Sequence, residues 1–483
     1  MSQDIYGKVR VRGKLVARTP ISVGGMGAGD HVDLELAENG AGRLYIPGTS
    51  LAGPLRAWLE KSVDHAKSDN VVNGLFGFIA DKGGDDGIAS PLYIEDGVID
   101  KKAVKERRHG IAIDEGSGTT KEGFFYTRAL LPRGTSCPLE MELDIRGGIR
   151  DDKPHPAGAL ALIVEALQKG KIRFGACKTR GMGVMELQET EIDYYDFVGD
   201  AGALDQWLNG EKAAKRGLKA LEIFDHDILN NNKRESVEAT ISWRAKSPMM
   251  VKSGRDGINA DMMPLVSGVG GGVAPVIPGS SLKGILRSQA NKILNTIFDP
   301  EFDPAEDNRW EWELVEWLFG STERAGHLSV DDVYYRPEKP LDFAKWLEED
   351  ENTLDIDTVR EQHVAIDRFT GGASDGALYN ARPVKKDSGA DSGWEPIHLT
   401  IDVSGLGDKE KAIVEALVKL LIRDMREGFV AIGFGSHRGM GEIEIVKSDD
   451  NFPSFEELQS HWNEFIGSGG KFPPTEEQEK NNG

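Results

Sequence analysis

The residues of this chain best suited to hold an anion lie in two short phrases, and each phrase is written twice. Ile46-Pro47-Gly48-Thr49-Ser50-Leu51-Ala52-Gly53-Pro54-Leu55-Arg56 returns as Ile277-Pro278-Gly279-Ser280-Ser281-Leu282-Lys283-Gly284-Ile285-Leu286-Arg287. Thr179-Arg180-Gly181-Met182-Gly183 returns as His437-Arg438-Gly439-Met440-Gly441. In the first phrase Pro and Gly end a strand, and paired hydroxyls sit where a helix N-cap belongs. Apolar residues at three- and four-residue spacing then predict helices over 51–62 and 282–297. A helix start offers unpaired N–H groups and the positive end of its dipole to a phosphate. Ser50, Ser281, Lys283, Arg56 and Arg287 exceed what capping alone requires, whereas Leu51, Leu55, Leu282 and Leu286 read as core. In the second phrase Arg180 and Arg438 stand among glycines, with Lys178 and His437 beside them. Glycine lets a main chain approach a ligand closely, and an arginine can bridge two phosphate oxygens.

Two other chemistries fit poorly. The GGMGAG run at 24–29 does not open into a helix as a dinucleotide loop would, and Lys283 lacks the spacing of a P-loop lysine. The ten histidines show no paired-ligand pattern, and the two cysteines, Cys137 and Cys177, give no disulfide framework or metal spacing.

The two phrases recur in one order, at offsets of 231 and 258 residues, so the chain contains a duplicated unit. Each unit opens on an alternating stretch that predicts a half-buried strand, near 9–16 and 237–243. A Gly-rich loop follows in both: GGMGAGD in the first, and KSGRDGINAD followed by SGVGGG in the second. Mid-unit, Gly110-Ile111-Ala112-Ile113-Asp114 matches His363-Val364-Ala365-Ile366-Asp367, with Tyr126 and Tyr379 twelve residues after the aspartates. Extended runs about a Gly/Thr/Ser turn predict a protruding β-hairpin, followed by second helices over 157–168 and 409–426. This order predicts an α+β fold of two ferredoxin-like domains, over 1–193 and 236–447. A charged helical connector is expected over 194–235, and a C-terminal helix over 455–466 inside a tail of 448–483 whose end reads as disordered.

The net charge of −22 opposes a polyanion partner only on average. Residues 296–360 carry 19 acidic against 6 basic side chains, and 448–483 carry 8 against 2, so the repeated units are near neutral. The segment 296–360 reads as an acidic insertion in the second unit, with Trp310, Trp312 and Trp317 on a helix packed on its own domain or a neighbouring subunit. No apolar run approaches a membrane span, and the N-terminus has no signal-peptide pattern, so a cytoplasmic setting is expected.

The paired IPGSSLKG and RGMG phrases, with the turn Ile366-Asp367-Arg368-Phe369-Thr370-Gly371-Gly372, resemble the RAMP superfamily of CRISPR-associated proteins. The nearest likeness is the backbone subunit of type III effector complexes, in the tandem two-repeat form of variant type III-D systems. The resemblance implies RRM-like domains that grip guide crRNA along its backbone, with hairpin thumbs that kink the guide–target duplex. Recognition through backbone and shape would leave sequence reading to base pairing. It implies guide contacts from Ser50, Arg56, Lys178, Arg180, Lys252, Arg255, Ser281, Lys283, Arg287, Arg368, Thr370, His437 and Arg438. In the first repeat Glu115-Gly116-Ser117 replaces Arg368-Phe369-Thr370 and Ala52 replaces Lys283, which implies a weaker grip there.

Cleaving members of the family use an aspartate on the loop before the IPG helix. Asp30 and Asp261 each stand 16 residues before their isoleucine, which makes them the expected catalytic and metal-binding pair; Asp33 and Asp256 are the neighbouring alternatives. A carboxylate there would hold a divalent cation, Mg2+ in the first instance, or act as general base. The bland alternative is that these aspartates cap turns. The implied partners are crRNA, complementary target RNA and other type III subunits (neighbouring backbone, large and small), with no membrane. A non-catalytic scaffold is the competing function. A guide-precursor nuclease relying on a histidine ranks below it, since His31 and His437 are not repeated.

Overall fold

The computed structural model describes residues 4–25, 32–63, 65–79, 87–100, 103–113, 120–146, 155–221, 235–253, 260–298, 312–343, 358–387 and 392–472. Asp30, His31, Asp114, Glu115, Gly116, Ser117, Arg255, Asp256, Trp310 and the tail 473–483 lie outside them.

Alternation in the sequence becomes a long first strand, β1 (Ile5–Ala17), which buries Val9, Val11 and Leu15. It pairs antiparallel with β7 (Ser136–Arg146) on one side and β8 (Met185–Asp196) on the other. With β3 (Leu92–Ile94) and the two-residue β9 (Lys215–Arg216) the sheet order is β3-β7-β1-β8-β9. Helices α1 (Gly48–Ser62), α2 (His65–Phe76) and α3 (Pro156–Gln168) complete the first repeat. The second repeat reproduces this with β10 (Ser236–Ala245), β13 (Leu328–Val330), β17 (Ile397–Asp402) and β18 (Ile443–Asp450) in the order β13-β17-β10-β18. Its helices are α5 (Gly279–Phe298), α6 (Glu313–Phe319) and α7 (Asp408–Arg426). Numbered within a repeat, the strands lie 4-1-3-2, the ferredoxin-like order, so the fold is α+β with two such domains. Each has its own apolar core, and every fully buried Leu or Ile contributes roughly 1.5–3 kcal/mol of burial.

Two differences concern the helix starts. Both first helices begin a turn earlier than expected, at Gly48 and Gly279, with Pro47 as the N-cap of α1 and no side-chain cap. Thr49, Ser50, Ser280 and Ser281 are therefore inside the first turn, not capping it. The cap comes from far along the chain: the N–H of Gly48 donates to Asp96 Oδ1 (2.8 Å) and that of Gly279 to Asp332 Oδ1 (2.8 Å). Glycine is required because a Cβ would strike the Ile94 or Val330 carbonyl oxygen.

Residues 312–335 are not an insertion but the counterparts of 65–99. A third repeated phrase shows this, Leu75-Phe76-Gly77 and Leu318-Phe319-Gly320, where α2 and α6 end on glycines of positive φ. Trp317 is buried and stacks on His327 at 4.0 Å, and Trp312 packs on Phe298, so both belong to their own domain. The SGVGGG run forms a hairpin, β11 (Val266–Val269) and β12 (Gly272–Ile277), turning at Gly270-Gly271 with positive φ at both. Among the described residues of the connector, α4 (Ala203–Leu208) and a 3-10 turn at Leu218–Leu221 are helical. Trp207 ties α4 to the sheet by donating to Glu142 (3.1 Å), with Lys8 over its ring. A last helix, α8 (Phe455–Gly467), opens on a capping box at Ser454 and Glu457.

The chain divides into two compact units, 1–108 with 127–178 and 182–234, and 235–483 with 109–126 and 179–181. Among the described residues no helix is long and apolar enough to cross a membrane.

Candidate nucleic-acid interface and carboxylate sites

The Arg-Gly-Met-Gly phrase folds the same way twice. Left-handed φ recurs at four matched places, Gly175 and Gly433, Cys177 and Gly435, Gly181 and Gly439, Gly183 and Gly441. A Cβ on Gly183 would strike the Phe174 carbonyl oxygen, and one on Gly441 that of Ile432. The methionines turn inward, leaving Arg180, His437 and Arg438 exposed. Arg438 donates to the Tyr379 hydroxyl and lies 4.8 Å from the Phe434 ring. Arg180 makes the matching approach to Tyr126, at 3.5 Å.

Tyr379 stands on a two-stranded hairpin, β15 (Glu361–Ile366) and β16 (Ala373–Ala381). Next to it, the Asn380 N–H donates to Asp261 Oδ2 at 2.7 Å, while the Met262 N–H donates to the Asn380 carbonyl. Asp261 is exposed, with one oxygen held and the other without a partner among the described residues. The first repeat makes the same bond with a different aspartate than spacing suggests. The Thr127 N–H, in β6 (Tyr126–Leu130), donates to Asp33 Oδ2 at 2.7 Å, and the Leu34 N–H to the Thr127 carbonyl. The surrounding backbone agrees: Gly24 bridges Leu36 and Lys252 bridges Pro264, each a constant 228 residues apart, as are Asp33 and Asp261. The offset grows to 231 at the IPG phrase, so the second repeat carries three extra residues beyond its aspartate. Asp33 is thus the structural counterpart of Asp261, and the equal 16-residue spacing of Asp30 is coincidental.

The profile of the RAMP superfamily matches residues 14–186 and 244–444, most of both repeats. The chain belongs to the RAMP superfamily. Membership implies a CRISPR-associated, RNA-binding subunit. No curated protein matches it.

Within the RAMP repeats the expected phosphate contacts divide into two groups. Lys178, Lys252 and Arg368 are exposed, as are Arg180, His437 and Arg438; Ser50 and Ser281 are half-buried in their helix starts. The second group is committed to the protein. Arg56 donates to the Gly77 carbonyl (3.3 Å), Asn73 (3.2 Å) and Glu60 (2.9 Å). Arg287 donates to the Gly320 carbonyl at 2.6 Å. Both arginines therefore brace the end of the following helix, where unpaired carbonyls need donors. Lys283 is buried, with Nζ on the Leu328 carbonyl at 2.7 Å. Burial, with Arg180 and Arg287 adding positive charge, pulls its pKa down to about 7. These three side chains make their hydrogen bonds within the domain.

Thr370 is likewise occupied: its N–H and hydroxyl both donate to Asp367 Oδ1, at 2.7 and 3.0 Å. Those bonds hold the Asp367 carboxyl below its usual range and shape the hairpin tip. The tip leaves Phe369 fully exposed, and Val364, Ile366 and Leu378 also face solvent. Ile111, Ile113, Phe124 and Phe125 are the exposed apolar residues of the first repeat's hairpin. Among the described residues no three or more His, Cys, Asp or Glu converge on a metal position. The free oxygen of Asp33 or Asp261 fits a single ligand position, and RNA and water would supply the rest.

Sequence reasoning noted the two tyrosines without giving them a role, and missed Asp96 and Asp332. Both aspartates follow an apolar strand of similar pattern, Leu92-Tyr93-Ile94 and Leu328-Ser329-Val330, which was the available signal.

Proposed function

We propose that the chain is a crRNA-binding backbone subunit of a type III CRISPR ribonucleoprotein, and that it cuts complementary target RNA at one aspartate-dependent site per repeat. The observation that carries this reading is the paired geometry of Asp33 and Asp261. Each exposed carboxylate is oriented by an N–H of the hairpin expected to kink the duplex. A kinked strand brings a ribose 2′-OH in line with its phosphorus. The free carboxylate oxygen accepts the 2′-OH proton, the O2′–P bond forms to give a 2′,3′-cyclic phosphate, and the P–O5′ bond breaks with its electron pair leaving on O5′, which takes a proton from water. In each repeat a divalent cation, when bound, would neutralise charge on the phosphate, with Asp33 its protein ligand in the first repeat and Asp261 in the second. The exposed Arg180, Arg368, Arg438, Lys178 and Lys252 support guide binding. A cytoplasmic setting and contacts with neighbouring backbone, large and small subunits belong to this reading.

The scaffold alternative has one observation in its favour: each carboxylate already spends an oxygen on a backbone amide, which is what a turn-capping role needs. Asp33→Asn and Asp261→Asn, made singly and together in the assembled complex with guide and complementary RNA, separate the two. Each single variant should lose one distinct cut, and the double variant both, with guide RNA retained. Persistence of every cut in the double variant would sink the nuclease reading. Asp30→Asn in the same series tests the upstream aspartate, with both cuts expected to survive.

A further inference from the structure

The Arg438–Tyr379 bond has a direction. A guanidinium has donors and no acceptor, so the phenol oxygen accepts from Arg438 and its own O–H must point elsewhere. Among the described residues Tyr379 O–H has no acceptor, and Arg438 has no other hydrogen-bond or ion-pair partner for its remaining N–H groups. The ring itself is fixed, stacked on His363 at 5.0 Å. One residue along the strand, the Asn380 N–H orients Asp261. A cationic donor pair at Tyr379 and a carboxylate held by the backbone of Asn380 are thus tied to adjacent residues of one strand.

That arrangement suits a phosphodiester. Its non-bridging oxygens are anionic acceptors for the phenol and guanidinium, and the adjacent 2′-OH is a donor for the carboxylate. We propose that Tyr379, held by Arg438, is a catalytic residue of the second repeat that donates its phenolic hydrogen bond to a non-bridging oxygen of the scissile phosphate. This rests on the nuclease reading above and adds to it the donor that stabilises the negative charge developing on the non-bridging oxygens.

The test uses Tyr379→Phe, which keeps the stacked ring, beside Asp261→Asn, both in the assembled complex with guide and complementary RNA. Asp261→Asn is expected to abolish the second-repeat cut. Tyr379→Phe is expected to slow that cut tenfold or more, leaving the first-repeat cut, guide retention and melting temperature unchanged. With a phosphorothioate at the scissile position, one diastereomer should slow the parent protein while Tyr379→Phe adds little to it. The inference is overturned if Asp261→Asn stops the cut and Tyr379→Phe does not. It is also overturned if Tyr379→Phe slows both cuts alike or releases guide RNA, or if its effect multiplies with sulfur in both diastereomers. Survival of the cut in Asp261→Asn would instead remove the nuclease reading itself.

Discussion

Lys283 shows how far a residue's type can mislead about its task. It lies in the phrase that reads as an anion grip, yet its ammonium is buried on the Leu328 carbonyl. Its pKa falls to about 7 from 10.5 because burial disfavours the charge. Between those values the unfolded chain holds a proton that the folded chain has released, so raising the pH stabilises the fold; below about pH 7 both states are charged and the contribution is flat. Lys283→Met should therefore flatten the pH dependence. Denaturant midpoints compared at steps from neutral to alkaline pH should rise in the parent relative to the variant. Parallel curves for the two proteins would mean that the lysine is not depressed. The same lesson applies to Arg56 and Arg287, whose carbonyl partners lie 21 and 33 residues away and leave no local trace in the sequence.

At the scale of elements, the glycine loops are the parts most tightly specified by backbone geometry. Gly441 combines φ +80° with a carbonyl where a Cβ would stand, so Gly441→Ala should cost on the order of 1–3 kcal/mol. Phe369→Ala, on the exposed hairpin tip, should change stability by no more than about 0.5 kcal/mol. Thermal melts of the two variants check the contrast. The strands, both long helix pairs and the hairpins were legible because alternation and helical spacing are local signals. The Asp33–Asp261 match was not, since three extra residues before the second IPG phrase shift the count. Only the hydrogen bonds to Thr127 and Asn380 reveal the true register. Cys177 illustrates the same limit. It occupies a left-handed position that its partner repeat gives to Gly435, and nothing in a cysteine announces that conformation.

For the molecule as a whole, the inward commitment of Arg56, Lys283 and Arg287 has a consequence for loading with RNA. Affinity for a polyanion depends on the ions shed as cationic groups neutralise phosphates, and each such contact on a single strand steepens the dependence on salt by about 0.7 in log–log slope. Cations already satisfied by carbonyls shed nothing. Arg287→Met should lower the melting temperature of the protein yet leave the salt dependence of guide binding unchanged. Arg368→Met, which removes an exposed cation, should make that dependence shallower by about 0.7. Titrations of guide RNA across a range of salt concentrations measure both slopes. The struts that brace the interior thereby cap how strongly dilution of the surrounding electrolyte can tighten the grip.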